Sequence, residues 1–313
     1  MILLLIAALV AVIFLILVSA SFFFYRVAIA RTDKRFLNNN PDLAVTTSVE
    51  NPFSGNENWW IEQAPAEWNI TSNDGLKLHA YYMAADQPTD KTVILAHGYA
   101  GQAMQMGNLA QMYRDTLGFN VLLPDARGHG RSEGKYIGFG WPERKDYVQW
   151  INKVIDHSGE QSKIVLHGVS MGGATVMMTS GEALPLNVKA IVEDCGYASV
   201  KDQLAYQLRR MYRLPVFPLL HLTSMLTKLR AGYFFSEASA IDQIQKSKTP
   251  MLFIHGDADL FVPSEMVYEL FKHAPSAKQL LIVPGAGHGL ARHSDPVGYD
   301  REVAQFIGVY VED

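Results

Sequence analysis

Six short apolar runs, each closed by Gly, Pro or Asp, limit what this chain can fold into more than any other feature. They are "KTVILAHG" (91–98), "GFNVLLPD" (118–125), "KIVLHG" (163–168), "VKAIVED" (188–194), "TPMLFIHGD" (249–257) and "KQLLIVPG" (278–285). Strands buried on both faces read this way, because neither face needs a polar residue. A seventh run, "LKLHAYYMA" (76–84), alternates enough for a half-buried strand. Helix-compatible stretches lie between them, at Gln102–Leu117, Trp141–His157, Met171–Leu184, Ser264–His273 and Pro296–Val311. The alternation predicts an α/β fold, a mostly parallel central sheet with helices on both faces. One interval is too long for a simple crossover. From about residue 197 to 248 two further helical stretches, rich in apolar and aromatic residues, intervene between consecutive strands, and they read as a helical cap insertion over the sheet edge.

The N-terminus obeys a different rule. From Ile2 to Tyr25 no residue is charged, and as a helix the stretch spans about 36 Å, enough to cross a bilayer with some tilt. A cleaved signal peptide with a site at Val18-Ser19-Ala20 is the main alternative. The absence of a basic n-region and the length of the apolar run favour a retained anchor. A buried core helix is a third option. Arg26, Arg31, Lys34 and Arg35 follow the span at once, which by the positive-inside rule puts the body on the cytoplasmic side. The domain reading is therefore a transmembrane anchor at 1–30, a linker at 31–66 and a globular body at 67–313. Trp59 and Trp60, within the linker, suit either a membrane interface or packing on the body. With 27 basic and 31 acidic residues the chain has no electrostatic footprint for nucleic acid. A single cysteine, Cys195, excludes an internal disulfide and a cysteine-based zinc site.

In an open α/β sheet, ligands gather at the carboxyl ends of the strands. Every polar candidate here sits at such an end. Gly168, Ser170 and Gly172 form G-x-S-x-G between a strand and a helix, the context of a nucleophile elbow, where only small neighbours fit beside an exposed hydroxyl. Such a serine needs a base, and the base needs a carboxylate, in the chain order Ser, Asp or Glu, His. His288 follows a strand among Gly285, Gly287 and Gly289. His97, His167 and His255 precede glycines at strand ends and read as packed, hydrogen-bonded residues. For the carboxylate Asp259 is favoured. Asp257 is better placed to brace the loop, and Asp194 stays open as a third candidate. Acyl transfer also builds charge on the carbonyl oxygen. The backbone N–H groups of Met171, just after the serine, and Tyr99, in the loop after an earlier strand, are the candidate oxyanion donors.

His97-Gly98, "PDARGHGRSEG" (Pro124–Gly134), "HGVSMGG" (His167–Gly173), "HGDADLFVP" (His255–Pro263) and "GAGHG" (Gly285–Gly289) together resemble the α/β-hydrolase superfamily, and are similar to bacterial serine hydrolases of the BEM46-like group. The resemblance runs from about Trp68 to Val311. It implies the α/β-hydrolase fold, a triad of Ser170, Asp259 and His288, and an oxyanion hole at Tyr99 and Met171. It also implies cleavage of carboxylic esters through an acyl-enzyme, with no cofactor and no metal. HGYAG stands where many lipases carry HGGG. The expected partners are a small-molecule or lipid-like ester and, through the N-terminal helix, a membrane. Turnover of long-chain esters in membranes is expected to drop on deletion of residues 1–30 while short soluble esters are unaffected. A peptidase, thioesterase or acyltransferase built on the same triad, or a non-catalytic binding module, remains the alternative.

Overall fold

The computed structural model describes residues 1–37, 40–43 and 57–312. The rest of the predicted linker lies outside the described residues. Helix α1 (Ile2–Phe24) continues into one π-helical turn, Tyr25–Ile29. Its residues 1–16 are all exposed, which sets aside the core-helix alternative. Ser21 Oγ donates back to the Leu17 carbonyl at 2.8 Å, so the helix satisfies its own hydroxyl.

The predicted linker is partly ordered structure. Helix α2 (Glu57–Gln63) sits on the body, with Trp60 edge-on to Tyr81 and Trp59 Nε1 donating to Asp115 at 2.9 Å. Both tryptophans are buried there, so packing on the body is the reading that holds. Next come β1 (Ala66–Thr71), β2 (Lys77–Met83), β3 (Lys91–Ala96), α3 (Gly107–Gln111) and β4 (Asn120–Pro124). α4 (Glu143–Ser158), β5 (Lys163–Val169), α5 (Met171–Thr179) and β6 (Val188–Asp194) follow. The insertion carries α6 (Val200–Tyr212), α7 (Leu219–Ala231) and α8 (Ala240–Ile244). The chain closes with β7 (Met251–Gly256), α9 (Glu265–His273), β8 (Lys278–Val283), α10 (Ala291–Ser294) and α11 (Pro296–Val311).

Among the described residues the strands form one eight-stranded sheet in the order β1-β2-β4-β3-β5-β6-β7-β8. β2 runs antiparallel to both of its neighbours, and β3 to β8 are parallel. Each face has its own apolar core. One joins α4, α5, α8, α9 and the cap, with Trp150, Tyr147 and Phe253 fully buried. The other joins α2, α3 and α11, around Tyr113, Tyr299 and Val303. The segment expected to be one helix from Gln102 to Leu117 is instead a 3-10 turn (Ala103–Met106), α3 and a π turn (Met112–Thr116).

The base of α1 docks on this body. Its last carbonyls lack partners within the helix, and the body supplies them. Lys34 Nζ donates to Val27 O and Ala30 O, both at 2.7 Å. The Tyr99 hydroxyl donates to Ala28 O at 2.7 Å, and the Ile137 amide to Ile29 O at 2.7 Å. Ala30 pairs with Tyr136 as an antiparallel bridge, and Ile29 is wholly buried. Burial lowers the Lys34 ammonium to about 8.

Candidate active site

β5 delivers Ser170 into a sharp turn, with φ 58° and ψ −117°, before α5 begins. A non-glycine residue rarely holds this conformation, and such strain concentrates at functional sites. The glycines make the turn possible. A Cβ on Gly172 would stand 1.9 Å from Ala96 O, and one on Gly168 would stand 2.1 Å from Gly172 O. Strand and helix therefore meet at a distance that no side chain permits. Met171 is the first residue of α5, so its N–H has no acceptor within the helix. Tyr99 lies in the turn after β3, and a Cβ on Gly98 in the same turn would stand 3.5 Å from the Ser170 Cβ.

The loops after β7 and β8 bring the other two residues. His288 Nε2 lies 2.8 Å from Ser170 Oγ, and its Nδ1 lies 2.7 Å from Asp259 Oδ2. An ionised carboxylate only accepts, so Nδ1 carries the proton and Nε2 is free to accept from the serine hydroxyl. Asp259 is held in turn. Its Oδ1 accepts the Phe261 and Val262 amides at 2.9 and 2.8 Å, and His255 Nε2 stands 3.2 Å from Oδ2. Burial pushes the Asp259 carboxyl up. The charge of His288 and the hydrogen bonds from His255 and His288 outweigh it, leaving the group well below the usual carboxylate range. The Phe261 ring packs on the His288 imidazole at 4.9 Å between centroids.

The two rival carboxylates do other things. Asp257 Oδ1 accepts the Gly285 amide at 2.6 Å and braces the loop that carries His288. Asp194 accepts from the Tyr299 hydroxyl at 3.0 Å, and Tyr299 and Tyr113 hold the two ring nitrogens of His167. Burial lifts the Asp194 carboxyl to about 6. Cys195 Sγ approaches Asp259 and His288 closely enough for the three to resemble a metal-ligand set. Both His288 nitrogens are already engaged, however, and burial holds the thiol well above its ordinary range, in the protonated form.

Two cavities meet at Ser170. One is lined by the cap and the base of α1, and none of its described lining residues is charged. The other opens past His288 toward Gln105, Asn108 and Arg292.

Two supports were not visible as chemistry in the sequence. In "PDARGHG", Asp125 accepts the Ala103 and Arg131 amides, both at 2.9 Å, and His129 Nε2 accepts the Ala100 amide at 3.3 Å. The His129 ring packs on His97, whose Nε2 accepts the Ala126 amide at 3.0 Å. Together they fix the loop that carries Tyr99. Gly130 is the available signal: a Cβ there would overlap the Asp125 carboxylate at 2.2 Å.

Comparisons with known proteins agree with this architecture. Residues 87–230 match the serine aminopeptidase S33 family model, and residues 220–306 match that of the dienelactone hydrolase family. YqkD of Bacillus subtilis is 31% identical over 238 residues, 76% of this chain and 77% of that protein. The bem46 protein of Schizosaccharomyces pombe is 25% identical over 243 residues, 76% of this chain and 75% of its own length. Among solved structures, the Pyrococcus furiosus esterase Pf2001 superposes with a TM-score of 0.65 at 23% identity, covering 86% of this chain and 96% of that one, a likeness of fold. The protein is an α/β hydrolase, and it belongs to the BEM46-like group of that superfamily.

Proposed function

We propose that the protein is a membrane-anchored serine esterase that cleaves carboxylic esters through an acyl-enzyme. The observation that carries this reading is the unbroken hydrogen-bonded line Ser170–His288–Asp259 at the end of the sheet. His288 Nε2 takes the hydroxyl proton as Ser170 Oγ attacks the ester carbonyl, and Asp259 holds the tautomer and offsets the imidazolium charge. The Tyr99 and Met171 amides receive the oxyanion. The ester C–O bond then breaks and the alcohol departs with the proton held on Nε2. Water, deprotonated at the same nitrogen, releases the acid and restores the serine.

The match to a serine aminopeptidase model favours peptide hydrolysis as a second reading. An aminopeptidase must hold a substrate ammonium group; the described residues lining the cap-side cavity offer no carboxylate, and Asp194, which lines the other cavity, is engaged by the Tyr299 hydroxyl. We therefore place esters first. A fluorophosphonate probe should label the wild type and not Ser170→Ala; a wild type that stays unlabelled sinks the serine-hydrolase reading. Parallel assays with p-nitrophenyl esters and aminoacyl p-nitroanilides then separate esterase from peptidase.

We further read α1 as a retained membrane span with the body on the cytoplasmic side. Residues 1–16 are all exposed, and so are Arg26 and Arg35 just past the end of the helix. Protease added to sealed inside-out membrane vesicles should digest the body. Protection of the body would reverse the orientation.

A further inference from the structure

We propose that the end of the membrane helix is itself a wall of the acyl site, so that the acyl chain of a bilayer lipid reaches Ser170 directly across the base of α1. The inference rests on the serine-esterase reading and names its substrate class. Phe24, Val27 and Ala28 line the uncharged cavity that ends at Ser170, facing Leu204, Leu208 and Leu219 of the cap. The wall is built in. Phe24 packs edge-on against Tyr212 at 4.9 Å, and the Ala28 carbonyl is held by Tyr99, the residue whose own amide is a candidate oxyanion donor.

The depth of the helix points the same way. A hydrocarbon core of about 30 Å takes about 20 helical residues. Residues 1–16 form an unbroken exposed stretch that reaches about 24 Å. From Leu17 onward one face of the helix is covered, with Ser21 and Tyr25 buried and α7 packed along it, while Ser19, Phe22 and Phe23 stay exposed. The membrane helix therefore enters the body alongside the cap and brings the edge of the cap to the bilayer surface. The outward stripe of the cap suits that position. Phe217, His221, Met225 and Leu229 follow at four-residue spacing along and just ahead of α7, and the three apolar members are 72%, 56% and 84% exposed. Beside them the Arg230 guanidinium stacks on Phe22 and Tyr25, 5.3 Å from each centroid, the pairing of cation and aromatic rings expected where lipid gives way to water. Exposed apolar patches of this kind mark contact surfaces, and continuity with the membrane helix identifies the lipid surface as what covers this one.

The test uses the full-length chain in phosphatidylcholine vesicles. Ala28→Trp should lower the ratio of kcat/KM for p-nitrophenyl dodecanoate over p-nitrophenyl acetate at least tenfold, and Phe24→Ala should move the chain-length optimum upward. Unchanged ratios in both variants, with Ser170 still labelled by fluorophosphonate, would overturn this proposal and leave the esterase reading intact. Failure of the wild type to label would instead remove the esterase reading. Independently of activity, a nitrobenzoxadiazole probe on Leu229→Cys should be quenched by doxyl lipids. The same probe on Leu186→Cys, 91% exposed just ahead of β6, should not be quenched. Equal behaviour of the two sites would refute the seat of the cap on the bilayer.

Discussion

Replacing Asp259 with asparagine isolates the carboxylate's part in the proposed mechanism. The two oxygens of Asp259 have separate duties: Oδ1 accepts two backbone amides and Oδ2 accepts His288 Nδ1. Asparagine has one oxygen. The Phe261 and Val262 amides, fixed in the backbone, will hold that oxygen on their side, which turns the amide NH2 toward Nδ1. A donor there forces the imidazole proton onto Nε2. The ring then donates toward Ser170 and has no lone pair to take the hydroxyl proton, although every heavy atom stays in place. The equivalent change in a serine-protease triad costs about 10⁴ in kcat, or about 5 kcal/mol of barrier at roughly 1.4 kcal/mol per decade. We expect a loss of that order in kcat for p-nitrophenyl acetate, with little change in KM. Asp194→Asn, whose carboxylate serves Tyr299 and not the ring, should stay within about tenfold of wild type. Asp259→Asn within tenfold of wild type, or Asp194→Asn as the more damaging change, would refute the tautomer argument.

Three further outcomes follow from single residues. Gly172→Ala places a methyl 1.9 Å from Ala96 O; it should cost about 1–3 kcal/mol or more, read as a lower melting temperature together with slower fluorophosphonate labelling, and a wild-type melt would contradict it. Burial lifts the Glu193 carboxyl from 4.5 to about 8. Between those pH values the folded chain keeps a proton that the unfolded chain has lost, so stability falls as pH rises across that window; Glu193→Gln should flatten the decline between pH 5 and pH 8, and parallel slopes would count against it. Cys195 is 1% exposed with its thiol held in the protonated form, so the native protein should resist iodoacetamide until it is denatured; rapid native alkylation would show that the loop after β6 opens.

What the sequence discloses and what it hides divide along one physical line, between patterns that a segment imposes on itself and partners that arrive from elsewhere. Runs such as "KIVLHG" are strands because both of their faces are apolar, and G-x-S-x-G is an elbow because no Cβ fits between Gly172 and Ala96; both facts are local. The choice between Asp257 and Asp259 is not local. Each follows Gly256, and only the turn that points Oδ1 at the Phe261 and Val262 amides aims Oδ2 at a histidine from the next loop. The base of α1 is the harder case. Arg26 reads as the end of a span, yet "VAIA" (27–30) resumes the apolar run behind it, and that resumption is the one available signal that the helix goes on into the body. What stops it is supplied by Lys34, Tyr99 and Ile137, two of them far along the chain, each taking a carbonyl the helix cannot satisfy. A boundary set by such partners cannot be drawn at the first charge. The deletion of residues 1–30, conceived as removal of a tether, would instead strip Phe24, Val27 and Ala28 from the uncharged cavity at Ser170. Short soluble esters would then suffer along with long ones. A deletion that ends at residue 16, before the covered part of α1, is the cut that separates anchoring from catalysis.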